Sequence, residues 1–122
     1  MRYLKNKSFK KGMKNQGLDD DYLRNVLDDI HDGRAIPLGS KLFKTRAARK
    51  GHGKSGGFRN FFFWKKDELI VFCLLFGKNE QGNLNHDEKQ VLKILSNEYD
   101  KLTENEIEQN IKNKQFGVIK YD

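Results

Sequence analysis

A chain of 122 residues suits a single domain with a modest core. Its one cysteine excludes an intrachain disulfide, and its longest apolar run, Leu69 to Phe76, is far short of the roughly 20 residues that span a bilayer. A net charge of +7 and a pI near 9.5 point to a phosphate-rich or acidic partner, the alternative being a merely soluble basic protein.

In chain order, residues 6–16 read as a short helix with Phe9 and Met13 inward. Leu18-Asp19-Asp20-Asp21-Tyr22 opens a second, because acidic side chains cap a helix N-terminus and complement its dipole. Tyr22, Leu23, Val26, Leu27 and Ile30 share one face at helical spacing, and Gly33 is the stop. Ile36-Pro37-Leu38-Gly39 reads as a connector, Leu42 to Ala48 as a strand, and Phe58 to Lys65 as another. Lys66-Asp67 turns the chain into Leu69–Phe76, apolar on both faces as a central strand is. Cys73 lies within that run as a core thiol of a reducing compartment, with nothing adjacent to activate it. Asn85-His86-Asp87-Glu88 and Thr103-Glu104-Asn105-Glu106 resemble capping boxes that open two further helices. Phe116 to Tyr121 is a final extended segment. Helices, a strand meander, then helices make an α+β domain over 1–122, with residues 83–122 its C-terminal helical part and tail. The first residues carry no apolar leader, so the expected location is cytoplasmic, with no membrane partner.

Charge comes in blocks. From Gly33 to Lys66 there are ten Lys and Arg and no Asp or Glu. Within this block, Arg49-Lys50-Gly51-His52-Gly53-Lys54-Ser55-Gly56-Gly57-Phe58-Arg59 is a Gly-rich basic loop that runs into an aromatic strand. Gly53-Lys54-Ser55 matches the end of a nucleotide phosphate loop, but Ala48 stands where that motif needs Gly, and the following residues are strand-like rather than helical. Nucleotide hydrolysis is therefore rejected. RNA binding fits better, since single-stranded bases stack on exposed aromatic rings beside cations. Of the aromatic residues, Phe61, Phe62, Phe63 and Trp64 read as core, and Phe58, next to the loop, as the exposed stacker. RNA cleavage through the substrate's 2′-OH also fits. It needs a base, an acid and stabilisation of phosphate charge. His52 is the loop histidine, and Arg49, Lys50, Lys54, Arg59 and Lys78 form a cationic cluster in which crowding lets a lysine act as base.

The string Ala48 to Arg59 resembles the signature of RelE-family toxins, in particular their HigB-like branch. Phe76-Gly77-Lys78-Asn79-Glu80-Gln81-Gly82-Asn83-Leu84 is similar to the segment that follows the last long strand in that family, and Gly17-Leu18-Asp19-Asp20 and the terminal helix continue the likeness. The resemblance implies a RelE/ParE-like fold, with two N-terminal helices packed on a small twisted antiparallel sheet and C-terminal helices after it. It implies cleavage of mRNA in the ribosomal A site, neutralisation by a cognate antitoxin, contact with operator DNA only through the antitoxin complex, and no metal or cofactor. Carried over by position, Arg59 stabilises the scissile phosphate, Lys54 contacts phosphate or acts as base, and Lys78 completes the catalytic cluster. Arg49, Lys50, His52, Ser55 and Phe58 are the accompanying RNA-binding set. The sequence departs from the family at Asn79, where some members have Arg. Some members also have an activating C-terminal Tyr. Tyr99 is the available one, but its spacing is too distant, and it falls on an apolar helix face.

Two alternatives remain open on this reading: a ParE-like gyrase inhibitor on the same fold, and an RNA-binding module without cleavage.

Overall fold

A computed structural model describes residues 1–49, 53–77 and 84–121. A first strand, β1 (Arg2–Asn6), leads into α1 (Lys7–Gln16) and α2 (Asp20–His31). Four strands follow: β2 (Ile36–Gly39), β3 (Leu42–Arg49), β4 (Gly53–Lys65) and β5 (Leu69–Phe76). Helices α3 (His86–Asp100) and α4 (Glu104–Lys112) and a short β6 (Phe116–Val118) complete the domain.

The helix starts are set by local hydrogen bonding. Asn6 and Asp19 accept from the backbone N–H of Phe9 and Tyr22. Asn85–Glu88 and Thr103–Glu106 both form complete capping boxes, as their spacing predicts. Helix α2 is capped at its C-terminus by Asp32, just before Gly33, whose φ of 86° costs a glycine nothing.

The six strands form one sheet in the order β2-β3-β4-β5-β1-β6. The class is α+β, but the sheet is mixed rather than antiparallel, because β1 runs parallel to β5, with Leu4 beside Val71. The antiparallel expectation is corrected by a strand that Arg2-Tyr3-Leu4-Lys5-Asn6 is too short and too polar to announce. Residues 36–39, read as a connector, form the edge strand β2 for the same reason: Pro37 is tolerated there because an edge lacks one set of ladder bonds.

Two apolar clusters are separated by the alternation of β4. Phe58 and Phe62 join Phe9, Met13, Leu23, Val26, Leu27 and Ile30 of α1 and α2. Phe61 and Phe63 join Leu42, Val71, Leu92 of α3 and Ile107 of α4. Strand β5 serves both clusters through a bulge: Phe61 pairs with Leu74 and Phe62 with Phe72, leaving Cys73 as the extra residue. Cys73 and Leu74 thus both belong to the second cluster, and the phase of β5 changes between them. The thiol is buried, and burial pushes it up to about 12. Among the described residues no helix is long and apolar enough to cross a membrane.

Candidate functional site

The basic block folds into the β3–β4 hairpin, and its register decides which cations meet. Lys44 pairs with Phe61, and Arg46 with Arg59. The Trp64 N–H bonds to the Lys41 carbonyl at 2.9 Å, which fixes the phase of the ladder. Arg46 and Arg59 therefore form a non-hydrogen-bonded pair, the kind in which Cα atoms approach to about 4.5 Å and side chains lie closest. Both lie on the face of Phe61 and Leu42, the side of α3, and Phe76 of β5 stands opposite Arg59 on its other flank.

Three other arginines are neutralised. Arg2 is bound by Glu108 and Glu104, Arg24 by Asp21 and Arg34 by Asp29. Arg46 and Arg59 have no ion pair among the described residues, although Arg59 is only half-exposed. Two like charges placed directly across a ladder repel one another. An anion shared between them would remove that repulsion, and the planar fork of a guanidinium is matched to phosphate oxygens.

The opposite face of the hairpin holds the pair in place. Asn60, between Arg59 and Phe61, is fully buried; it donates to Thr45 Oγ1 at 3.3 Å and accepts from the Tyr22 hydroxyl at 2.8 Å. The strand that bears Arg59 is thus tied to α2 by a buried polar network, and burial pushes the Tyr22 phenol upward.

Arg49 ends β3 opposite Gly53. Lys54 and Ser55 follow in a part of β4 where the ladder is interrupted, between the pairs Arg49–Gly53 and Ala47–Phe58. Strand, not helix, continues through Ser55, in keeping with the rejection of a nucleotide phosphate loop. Lys50, His52 and Lys78 lie outside the described residues. Phe58 is corrected: it is 3% exposed, with its ring edge-on to Tyr22 at 5.6 Å, so it is a core residue and not an exposed stacking ring. Period-2 alternation with Phe62 would have put it inside. Tyr99 packs edge-on against Phe63 and Phe116 and its hydroxyl accepts from Asn6 Nδ2 at 3.1 Å, consistent with the apolar face read from the sequence. Arg46 is the residue that sequence reasoning missed. The signal was available in the hairpin register, since Arg46 falls opposite Arg59 once β3 and β4 are paired.

Fold and hairpin together define a small α+β domain with, on one sheet face, an arginine pair that has no ion-pair partner among the described residues. The family model described as the RelE toxin of the RelE/RelB toxin–antitoxin system matches residues 1–119, and the chain belongs to this family. Membership makes it the toxin of a toxin–antitoxin pair and implies an antitoxin as partner. No curated protein matches the chain.

Proposed function

We propose that the chain is a ribosome-dependent mRNA endonuclease, inhibiting translation in the cytoplasm and neutralised by its antitoxin. The observation that carries this reading is the cross-strand Arg46–Arg59 pair on a braced hairpin, without an ion-pair partner among the described residues. In the reaction, the 2′-OH of one nucleotide loses its proton to a base and attacks the adjacent phosphorus. The P–O5′ bond breaks, an acid protonates the leaving 5′-oxygen, and a 2′,3′-cyclic phosphate remains. Extra negative charge gathers on the phosphate oxygens at the transition state. In this reading Arg46 and Arg59 meet that charge without reorganising, the setting in which preorganised electrostatics act most strongly. Lys54 is the proposed base or second phosphate contact, with Lys78 completing the cluster. Arg49, Lys50, His52 and Ser55 are proposed to guide the strand.

The test is translation in a purified bacterial system with primer extension on the message. Cuts inside ribosome-occupied codons should fall about 10²- to 10³-fold in Arg59→Ala, the scale of losing one oxyanion donor. Arg46→Ala should act in the same direction, with the variants still folded and antitoxin-bound. Intact message with unimpaired translation by the parent chain would overturn the nuclease and direct attention to gyrase.

A further inference from the structure

Helix α1 meets the end of β5 at two points, and at each one partner lacks a side chain. A β-carbon on Gly12 would stand 3.2 Å from Leu75 Cβ, so the helix lies close over the strand there. Four residues on, and hence on the same helix face, Gln16 lies against Gly77. A β-carbon on Gly77 would stand 2.7 Å from Gln16 Nε2, 2.9 Å from Cδ and 3.0 Å from Oε1, too near to the whole carboxamide to be accommodated without a shift. The backbone of Gly77 is not left-handed, so close approach rather than conformation calls for glycine there. The end of α1 fixes the origin of the Gln16 side chain. Gly17 follows it at a φ of 65°, and the Leu18 N–H closes the helix on the Met13 carbonyl at 2.9 Å.

Leu75 and Gly77 flank Phe76, and Phe76 is the β5 residue paired with Arg59. Leu75 in turn pairs with Asn60, which Tyr22 of α2 holds by a hydrogen bond. The stretch of ladder that bears Arg59 is thus held by α2 through Asn60 and by α1 through Leu75 and Gly77. We propose that Gln16 is a positioning residue for Arg59: its carboxamide, seated on Gly77, holds the end of β5 where the Arg59 guanidinium must meet phosphate. The proposal rests on the nuclease reading of Arg59, and Gln16 itself touches no substrate. A misplacement of about 1 Å, introduced far from the chemistry, can cost about 10²-fold in rate.

The test uses the full chain in the purified translation system, with cutting rates followed against the concentration of programmed ribosomes. Gln16→Ala should lower the maximal rate about tenfold, with the half-saturating ribosome concentration and the urea midpoint little changed. In the Arg59→Ala background the same substitution should cause no further loss, because residues that act through one group are not additive. Gly77→Ala displaces the flexible carboxamide and should match Gln16→Ala, with the double variant no worse than either. Full cutting by Gln16→Ala, or an equal further loss on top of Arg59→Ala, would overturn the proposal. NMR of the Arg59 Nε–Hε group separates it from the nuclease reading. Gln16→Ala should shift that signal, and an unmoved signal overturns the positioning role whatever the cutting. A shifted signal in a chain whose parent leaves the message intact keeps the link from Gln16 to Arg59 and overturns the nuclease.

Discussion

At the scale of single residues, the site sets stability against function. Arg46 and Arg59 face one another with no ion pair to a carboxylate among the described residues. Arg46→Gln should therefore raise the unfolding free energy of the free protein in urea slightly, by up to about 1 kcal/mol, while weakening RNA binding. A variant that lost both stability and binding would show the pair to be structural. Behind it, Tyr22→Phe removes the donor to Asn60, buried at 0% exposure. The unmade hydrogen bond should cost about 1–3 kcal/mol in urea unfolding, and cutting should fall as Arg59 loses its brace. The sequence made Arg59 visible because it ends a Gly-rich basic string. Arg46 was invisible because its importance depends on which residue lies across the ladder, a property of register that no linear spacing displays.

At the scale of elements, local signals were the legible ones. The starts of helices α3 and α4 were legible because each capping box is a short-range hydrogen-bond pattern written in consecutive side chains. The strands β1 and β2 were not legible, being short segments whose pairing is decided by distant partners. The bulge at Cys73 was hidden for a similar reason: an eight-residue apolar run looks the same with or without a change of phase. That bulge gives two expectations. The buried thiol, with its ionisation pushed up to about 12, should resist alkylation at neutral pH until the chain unfolds. Phe62, central to the first cluster and fully buried, should lose about 3–5 kcal/mol as Phe62→Ala. Set against the 5–15 kcal/mol of a typical domain, that loss should show as a large drop in the thermal or urea midpoint.

At the scale of the whole molecule, charge is the dominant property. With a net charge of +7, RNA binding should weaken steeply as salt rises, log–log with concentration. The slope should fall by about one unit on removing each arginine of the pair that contacts phosphate; an unchanged slope would mean that they do not. The acid side of stability has a different source. Asp100 accepts from Lys41 at 2.8 Å and lies near Lys65, and these partners hold its carboxyl below the usual range. A depressed carboxyl stabilises the fold above its unfolded value and loses that contribution as pH falls through the folded one. Asp100→Asn should therefore flatten the acid limb of the stability curve below about pH 4 and leave the neutral region little changed. The domain's α+β class was legible from the order of its elements. The mixed sheet was not, since parallel pairing joins β1 to β5 across more than sixty intervening residues.

The pairing of Leu4 with Val118 also fixes an order in time. Strand β1 is translated well before β6, the neighbour that covers its second edge. The whole basic hairpin emerges from the ribosome before that edge can be covered. Completion of the sheet must wait until residue 118 has cleared the exit tunnel, so the cations of the hairpin emerge on an unfinished scaffold.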